Sequence, residues 1–360
     1  MRWQHVLAMV VLLSLVGCAA PAAPSGSERG AGESRAPAAP AAVADPTPWP
    51  ATAPRTALRI ALNAVSASMG PMWIAKDLGL FEQYGLDVEL VTLQTSSQIA
   101  KVMAAGEIPI ALSAAAGVVD AVLAGDDQIL LTGYQNYMNF WVHSRPEVRS
   151  VTDLRGKRVG TTRIGSGAHL GTVEMLRRFG LEPDRDVAVL QLGGMPEVFG
   201  ALSAGAVDAA ILSIPWNFQA QDSGFPLLHD LSAQRIPYLQ TGLATTRGYL
   251  QRNEDLVRRV LMAHLEGLAR FHTDKATAIE VLARNLKSED RELLERTYDV
   301  LTPLLERVPY PTPASIQTVI DQRAAENPAA RQLTPAQVAD DRLLRELDAA
   351  GFISRLYSSS

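Results

Sequence analysis

The segment with the clearest capacity for chemistry is RVGTTRIGSGAHLG, residues 158–171. It passes from a strand-like apolar stretch through Gly165, Ser166 and Gly167 into a stretch with helical character. Three kinds of site share this pattern: a phosphate-binding loop, a catalytic serine, and a helix N-terminus that offers its backbone N–H groups to a ligand. The residues around the segment decide between them.

The first two chemistries lack residues that they require. The glycines miss the dinucleotide fingerprint because the last of them comes one residue late, and the next strand ends in Gly193-Gly194 where that fingerprint needs an acidic residue. A catalytic Ser166 needs a base and an acid that orients the base. His169 follows on the same helix, but no acid can be nominated for it.

The remaining interpretation is a helix N-terminus at Ser166 and Gly167, whose N–H groups suit a carboxylate, a sulfonate, a phosphate or a neutral acceptor. The Ser166 side chain can equally well cap its own helix, which leaves backbone binding intact. Arg163 is able to pair with a ligand anion, or with Asp208 or Glu197 of the protein itself. A single cation favours a mono-anion with an apolar or aromatic body over a highly charged ligand.

Further candidate ligand contacts follow the predicted strands. Ligands in open α/β sheets bind outside the carboxyl ends of the strands, so small polar residues at those ends are candidates. Trp216 is the aromatic side chain best placed to stack on a flat ligand. The other candidates outside the central segment are Ser68, Met69, Thr95, Ser96, Ser113, Asn136 and Ser213, and within it we include Gly165.

The elements that must position these residues alternate between strand and helix. LRIALNA (58–64) predicts a strand, and residues 71–84 predict a helix with Gly85 as its C-cap before a second strand. The alternation of strand and helix starts again near residue 150. The C-terminal third is helical, and residues 254–271 carry an apolar stripe at helical spacing. This alternation predicts βαβ units and parallel sheets in two lobes.

Composition narrows the class of protein. The chain has 360 residues, 47% of them hydrophobic and 20% charged, which is enough apolar material for two ordinary cores. The formal net charge of −5 argues against a strongly basic nucleic-acid surface. The 6 histidines are scattered and form no Cys/His cluster, so we expect neither a metal site nor a cofactor.

The single cysteine, Cys18, ends an N-terminal segment typical of export signals. Its apolar run, residues 6–16, is too short to span a bilayer as a helix. The sequence Leu-Val-Gly-Cys resembles the bacterial lipobox, in which cleavage precedes acylation of the cysteine; an ordinary secretory signal with an incidental cysteine is the alternative. We therefore predict a lipoprotein signal over residues 1–18 and a disordered, Ala/Pro-rich membrane tether over residues 19–54.

Several stretches within residues 57–353 resemble one known family. They are WIAKDLGLFEQYGLDVEL (73–90), SVTDLRGKRVGTTRIGSG (150–167), GAVDAAIL (205–212), TGLATTRGYL (241–250) and FHTDKATAIEVLAR (271–284). In this order they resemble the extracytoplasmic substrate-binding proteins of ABC importers. The resemblance is to the SsuA/THI5-like and NMT1-like branch, which contains nitrate, taurine, alkanesulfonate and thiamine-pyrimidine binders.

The resemblance implies an α/β, two-lobed fold of the periplasmic-binding-protein type II class. Each lobe would be a mixed, mainly parallel sheet flanked by helices, with the ligand cleft between the lobes. Lobe one would comprise residues 55–139 and 243–360, and lobe two residues 140–242. The crossings YMNFWVHS and YLQTGLATT would act as hinge strands.

The expected function is that of an extracytoplasmic, lipid-anchored, monomeric protein that captures a small organic ligand by hinge closure. The resemblance implies ABC permease subunits with a cytoplasmic ATPase as partners, and Cys18 would provide the membrane contact. A sensing module that presents its closed form to a receptor is one alternative. An enzyme is the other, although related thiamine-pyrimidine-forming enzymes use a cysteine-rich iron site and a lysine-bound pyridoxal phosphate. Cys18 alone cannot supply such an iron site.

Overall fold

The computed structural model describes residues 53–93 and 96–358, apart from the side chains of Ser97 and Glu326. The predicted signal, the predicted acylation site Cys18, nearly all of the predicted tether and the candidate Thr95 lie outside the described residues. Within the described part, each helix is too short or too polar to cross a membrane. The described residues belong to one compact unit that contains two β-sheets.

Eleven strands are described, each preceded or followed by turns and helices. They are β1 (Thr56–Leu62), β2 (Leu86–Thr92), β3 (Ile110–Ser113), β4 (Gln128–Leu130), β5 (Gln135–Tyr137), β6 (Trp141–Ser144), β7 (Arg158–Thr161), β8 (Ala188–Gln191), β9 (Ala209–Leu212), β10 (Leu227–Asp230) and β11 (Pro237–Thr246). The first sheet has the order β2-β1-β3-β11-β4, with β5 also paired to β11. The second has the order β10-β6-β9-β7-β8.

Both sheets are mixed. β1 runs parallel to β2 and β3, and β7 runs parallel to β8 and β9. Every antiparallel pair involves β6 or β11, which are the strands that the chain forms on passing from one sheet to the other. The mixed sheets confirm the predicted fold class, and the antiparallel pairs arise because the two crossing strands insert beside the parallel ones with the opposite direction.

Helices cover both sheets. They are α1 (Gly70–Asp77), α2 (Leu80–Gln83), α3 (Ser96–Ala104), α4 (Ala115–Leu123), α5 (Gly167–Arg178), α6 (Met195–Ser203), α7 (Trp216–Asp222), α8 (Arg247–Arg252), α9 (Glu254–Thr273), α10 (Lys275–Leu286), α11 (Arg291–Leu301), α12 (Pro313–Glu326), α13 (Pro335–Val338), α14 (Arg342–Ala349) and α15 (Phe352–Ser358). We call β6–β10 with α5–α7 the second lobe, and the other described elements the first lobe.

A glycine divides one helix that the sequence predicts as continuous. Residues 71–84 form α1 and α2, which meet at Gly79. Its φ of 69° lies in the left-handed region, where glycine carries no Cβ penalty, so α1 ends and the chain turns before α2. Gly85, with φ of 72°, ends α2 where the sequence predicts a C-cap.

The apolar stripe on α9 lies in the core of the first lobe. Val257, Val260, Leu261 and Leu268 are fully buried in the same cluster as α1. That cluster also contains Trp141, Ile214 and Phe218 of the second lobe, so apolar packing continues from one lobe to the other.

Two short connections join the lobes. Residues 138–140 connect β5 to β6, and residues 231–236 lead from β10 to β11. β11 pairs with β5 from Pro237 onward, so the chain rejoins the first sheet before Gly242.

Candidate functional site

A cleft of about 390 Å³ lies where loops of the two lobes meet. Most of its walls follow the carboxyl ends of β1, β3, β7, β8 and β9, which is where open α/β sheets bind ligands. Its lining residues are 63–66, 68–69, 96, 114, 116–117, 120 and 323 of the first lobe, 162–168, 193–197 and 213 of the second, and Phe140, Tyr238, Gln240 and Thr241 at the crossings.

The N-terminus of α5 opens into this cleft. Ser166 is its N-cap: the serine Oγ accepts a hydrogen bond from the His169 N–H (3.2 Å) and lies 2.8 Å from Thr162 Oγ1. The N–H groups of Gly167 and Ala168 have no acceptor in the described part of the chain, as expected for a first turn. The serine is therefore a cap, and the backbone donors next to it remain available to a ligand. His169 Nδ1 accepts a hydrogen bond from the Gly165 N–H (3.2 Å).

Four charged side chains line the cleft, and three of them have partners. Asp120 and Arg323 form an ion pair, and Glu197 accepts a hydrogen bond from the Gly194 N–H at 2.9 Å. Arg163 is exposed, and its guanidinium has no hydrogen-bond or ion-pair partner among the residues that the structure describes. The sequence suggests Asp208 or Glu197 as a partner for Arg163. Asp208 forms an ion pair with Arg158 (3.1 Å) and not with Arg163. The Arg163 charge is thus available to an anion.

Arg323 joins the two lobes across the cleft. It lies on α12 of the first lobe and is 7% exposed. Its Nε and Nη2 donate to the two carboxylate oxygens of Asp120, at 2.6 and 3.0 Å, and Nη2 also donates to the Gly165 carbonyl of the second lobe at 2.8 Å. Sequence reasoning missed Arg323 because α12 is far along the chain from the strand ends, and no local pattern marks its inward side.

Tyr238, at the start of β11, is a second lining residue that the sequence did not single out. Its side chain is fully buried, and its hydroxyl has no hydrogen-bond partner among the described residues. Burial raises the pKa of Tyr238 to about 12, so the hydroxyl is protonated at physiological pH and can act as a donor. It stands within the crossing YLQTGLATT, which the sequence predicts as a hinge strand.

Most of the candidate residues from the sequence meet in this cleft. Those that line it are Ser68, Met69, Ser96, Arg163, Gly165, Ser166, Gly167 and Ser213. They come together because each follows a strand of one of the two sheets, and the sheets face the same opening. Their contact with a ligand stays a prediction.

Three candidates lie elsewhere. Ser113 is the last residue of β3 and is 1% exposed inside the sheet, with its Oγ near the Ala114 carbonyl (3.4 Å). Trp216 begins α7 and packs on Phe199 of α6 with ring centroids 6.0 Å apart, away from the cleft lining. The proximity of Trp216 to a strand end in the sequence was misleading because the helix that it begins directs the indole toward its neighbouring helix.

Asn136 fixes a loop and does not line the cleft. Its amide nitrogen donates to the carbonyls of Gly133 (2.6 Å) and Tyr310 (2.8 Å), and its oxygen accepts from Ser315 Oγ (3.0 Å). Ser315 lies in the first turn of α12. Asn136 therefore attaches the beginning of α12 to the crossing region, and thereby positions the helix that carries Arg323.

Apolar side chains stand at the mouth of the cleft. Val65 follows β1 in the first lobe and is 54% exposed, and Ile164 follows β7 in the second lobe and is 57% exposed. Both are among the lining residues. Exposed β-branched residues on both lobes give the entrance an apolar character above a polar helix terminus.

Comparison with known proteins identifies the family. The profile of the family described as NMT1/THI5 like matches residues 66–278. The chain belongs to the NMT1/THI5-like family. The sequence-based resemblance is confirmed. The NMT1/THI5-like region contains every described strand except β1 and most of the cleft, but it ends before Arg323.

A protein of Brachyspira hyodysenteriae is 23% identical over 223 residues, and its name describes an ABC transporter periplasmic binding protein. The match covers 56% of this chain and 62% of that relative, so the chain spans less than two thirds of its length. Among solved structures, the periplasmic aliphatic sulphonate binding protein SsuA from Escherichia coli superposes with a TM-score of 0.65 at 20% identity, covering 78% of this chain and 95% of SsuA.

The periplasmic nitrate-binding protein NrtA from Synechocystis PCC 6803 superposes with a TM-score of 0.68 at 14% identity, covering 85% of this chain and 92% of NrtA. These similarities confirm the two-lobed fold of periplasmic binding proteins for this NMT1/THI5-like chain.

Proposed function

We propose that the protein is an extracytoplasmic, lipid-anchored solute-binding protein, which captures a small organic ligand by hinge closure and delivers it to an ABC importer. The observation that carries the proposal is that both lobes supply the walls of one cleft, at the carboxyl ends of their strands. The family and the name of the Brachyspira relative support the same function.

The ligand is a mono-anion with an apolar or aromatic body. An anionic group suits the Arg163 guanidinium, which has no partner among the described residues, and the first-turn N–H groups of α5. The apolar mouth at Val65 and Ile164 suits a hydrocarbon body. A cavity of about 390 Å³ lies in the range of roughly 300–1,000 Å³ that organic ligands occupy, so it is generous for an ion as small as nitrate.

Ligand capture proceeds by movement of the lobes about the two crossings. One moving body comprises residues 55–139 and 243–360 and the other residues 140–242, except that residues 237–242 pair with β5 and move with the first body. The hinge strands lie at YMNFWVHS and YLQTGLATT. Opening admits the ligand, and closing places both walls of the cleft around it. Closure changes the distance between the outer faces of the two lobes. Permease subunits with a cytoplasmic ATPase would recognise the closed protein by this relative position.

The anchor belongs to the N-terminal segment. Acylation of Cys18 after removal of the signal would hold the monomeric protein at the membrane, and residues 19–54 would serve as its tether. This arrangement keeps the binding domain close to the permease.

The first experiment is native mass spectrometry of the freshly purified protein, followed by a denatured spectrum. We expect a small-molecule adduct that is lost on unfolding. A panel of butanesulfonate, taurine, nitrate, benzoate and a thiamine pyrimidine then defines the ligand class by thermal shift. If the preparation carries no adduct and no panel compound raises the unfolding temperature, the proposed function is wrong.

Arg163→Gln tests the anionic group of the ligand. We expect the affinity for the bound anion to fall about tenfold or more, because one charge-assisted hydrogen bond to a ligand is lost. The free protein should keep its unfolding temperature, since the guanidinium has no partner in the described structure. Arg149→Gln is the matched control: it makes the same charge change on an exposed residue of the second lobe outside the cleft lining. If Arg163→Gln and Arg149→Gln bind the anion with the same affinity, the anionic group of the ligand does not contact Arg163.

Arg323→Gln tests the contact between the lobes. The substitution removes the donor to the Gly165 carbonyl and the ion pair with Asp120, so the closed form loses an interlobe bond. We expect ligand dissociation, followed by stopped flow, to become about tenfold faster. Arg291→Gln, which breaks only an exposed pair with Glu295 within α11, should leave the rate unchanged. An unchanged rate in Arg323→Gln would exclude this contact from closure.

A further inference from the structure

The hydroxyl of Tyr238 is an unusual group for a protein interior. It is fully buried and has no hydrogen-bond partner among the described residues, whereas buried tyrosine hydroxyls normally have one. Two other buried tyrosines follow the rule: Tyr134 donates to the Ser68 carbonyl at 3.1 Å, and Tyr298 donates to the His272 carbonyl at 3.3 Å. Leaving such a donor unpaired costs stability, so its retention calls for another role.

The position of this hydroxyl relates it to the first turn of α5. A Cβ built on Gly167 would lie 3.2 Å from both the hydroxyl oxygen and one ring carbon of Tyr238. The tyrosine edge therefore rests directly against the glycine backbone. The N–H groups of Gly167 and Ala168 in that turn also lack acceptors within the described residues. Three donors without acceptors are thus grouped in one part of the cleft.

We propose that the Tyr238 hydroxyl donates a hydrogen bond to an oxygen of the bound ligand, the same group that the first turn of α5 binds. This inference rests on the proposed function, and it narrows the ligand class to molecules that present an oxygen acceptor, such as a carboxylate or a sulfonate. Tyr238 stands on the crossing strand and Gly167 on the second lobe, so opening of the lobes uncovers the hydroxyl and closure buries it again with the ligand oxygen in place.

Neighbouring charges are consistent with this role. Burial is the main cause of the raised pKa of Tyr238, and the paired charges of Arg323 and Asp120 act on that pKa in opposite directions, so the hydroxyl stays a neutral donor. A neutral donor contributes little long-range attraction but strong directional selectivity, since a ligand without a matching acceptor leaves the hydroxyl unpaired.

The test compares Tyr238→Phe with wild type and with Tyr298→Phe as the matched control. The probes are butanesulfonate and benzoate, with affinities measured by calorimetry, together with the unfolding temperature of the ligand-free protein. We expect Tyr238→Phe to reduce the affinity for the probe that wild type binds by about 10- to 100-fold. Its ligand-free unfolding temperature should stay equal or rise, because an unpaired buried hydroxyl is removed. Tyr298→Phe should show the opposite pattern: a lower unfolding temperature and unchanged affinity.

The outcomes separate this inference from the function on which it rests. If wild type binds a probe and Tyr238→Phe binds it within about twofold, the inference is overturned and the proposed function stands. If Tyr238→Phe lowers the unfolding temperature of the ligand-free protein as Tyr298→Phe does, the hydroxyl is structural and the inference is likewise overturned. If wild type binds neither probe and carries no adduct that contains an oxygen acceptor, the ligand class named here is wrong. A wholly ligand-free wild type that responds to nothing in the larger panel contradicts the proposed function as well.

Discussion

Acidification from near neutral pH to about pH 4 is expected to remove about 3 kcal/mol of unfolding free energy through His264 alone. The His264 ring lies on α9, is fully buried, and has no hydrogen-bond partner for either nitrogen in the described structure. Burial lowers its pKa from 6.5 to about 4. Its ring stands 5.3 Å from that of Tyr134, whose hydroxyl holds the Ser68 carbonyl at the cleft. Protonation would therefore place an unsolvated charge beneath the site.

The direction of the pH dependence follows from the two pKa values. The folded-state pKa lies below the unfolded one, so between about pH 6.5 and pH 4 the unfolded chain binds the proton first. The stabilising contribution of the neutral ring is fully present above pH 6.5 and is lost progressively as the pH falls toward 4. Below about pH 4 both states are protonated at this residue, and its contribution levels off.

Denaturant unfolding at about pH 7.5 and about pH 5 measures the effect, which amounts to about 2 kcal/mol over that interval. His264→Leu should remove this part of the pH dependence and leave stability at neutral pH equal or higher, because two unpaired ring nitrogens are replaced by a hydrocarbon. His272→Leu is the comparison. Burial also lowers the pKa of His272 to about 4, but its ring is only half-buried and should contribute less. A His264→Leu protein with the wild-type pH dependence would show that this ring does not govern acid stability.

Gly267→Ala is expected to destabilise the protein by about 3 kcal/mol. Gly267 lies on α9 where it crosses α1, and an added Cβ would meet the Pro71 carbonyl oxygen and lie 3.0 Å from the Ala75 Cβ. A backbone oxygen cannot rotate away as a side chain does, so the two helices must separate. Because α1 directly follows the loop that carries Ser68 and Met69, we also expect weaker ligand binding.

The matched control is Gly200→Ala. Gly200 lies in α6, is exposed, and would place a Cβ with no atom within 4 Å. There the substitution should stabilise the protein by about 0.5–1 kcal/mol, because alanine restricts the unfolded chain and favours a helix. Chemical denaturation of both variants separates the steric effect from helix propensity. Equal destabilisation of the two proteins would contradict the helix-crossing explanation.

The candidate residues that line the cleft are those for which a local sequence pattern agrees with the topology of the sheets. Ser166 and Gly167 carry a local signal, a cap followed by a helix, and Ser68, Ser96 and Ser213 follow strands whose ends meet at one opening. The same rule misplaced Trp216, because a position near a strand end does not fix the direction of a side chain on the helix that follows. The direction of the crossing strands β6 and β11 could not be read from local pattern either, since it depends on the path of the whole chain.

By itself, the sequence determined the alternation of strands and helices, the resemblance to the family and eight of the residues that line the cleft. These features depend on short-range periodicity and on the shared edge of parallel strands. Only the tertiary structure decided that Arg323 links α12 to Asp120 and Gly165, and that the Tyr238 hydroxyl lies against Gly167 with no hydrogen-bond partner in the described part of the chain. Such contacts join residues far apart in the chain, and their existence depends on how whole helices and sheets pack, which no local pattern encodes.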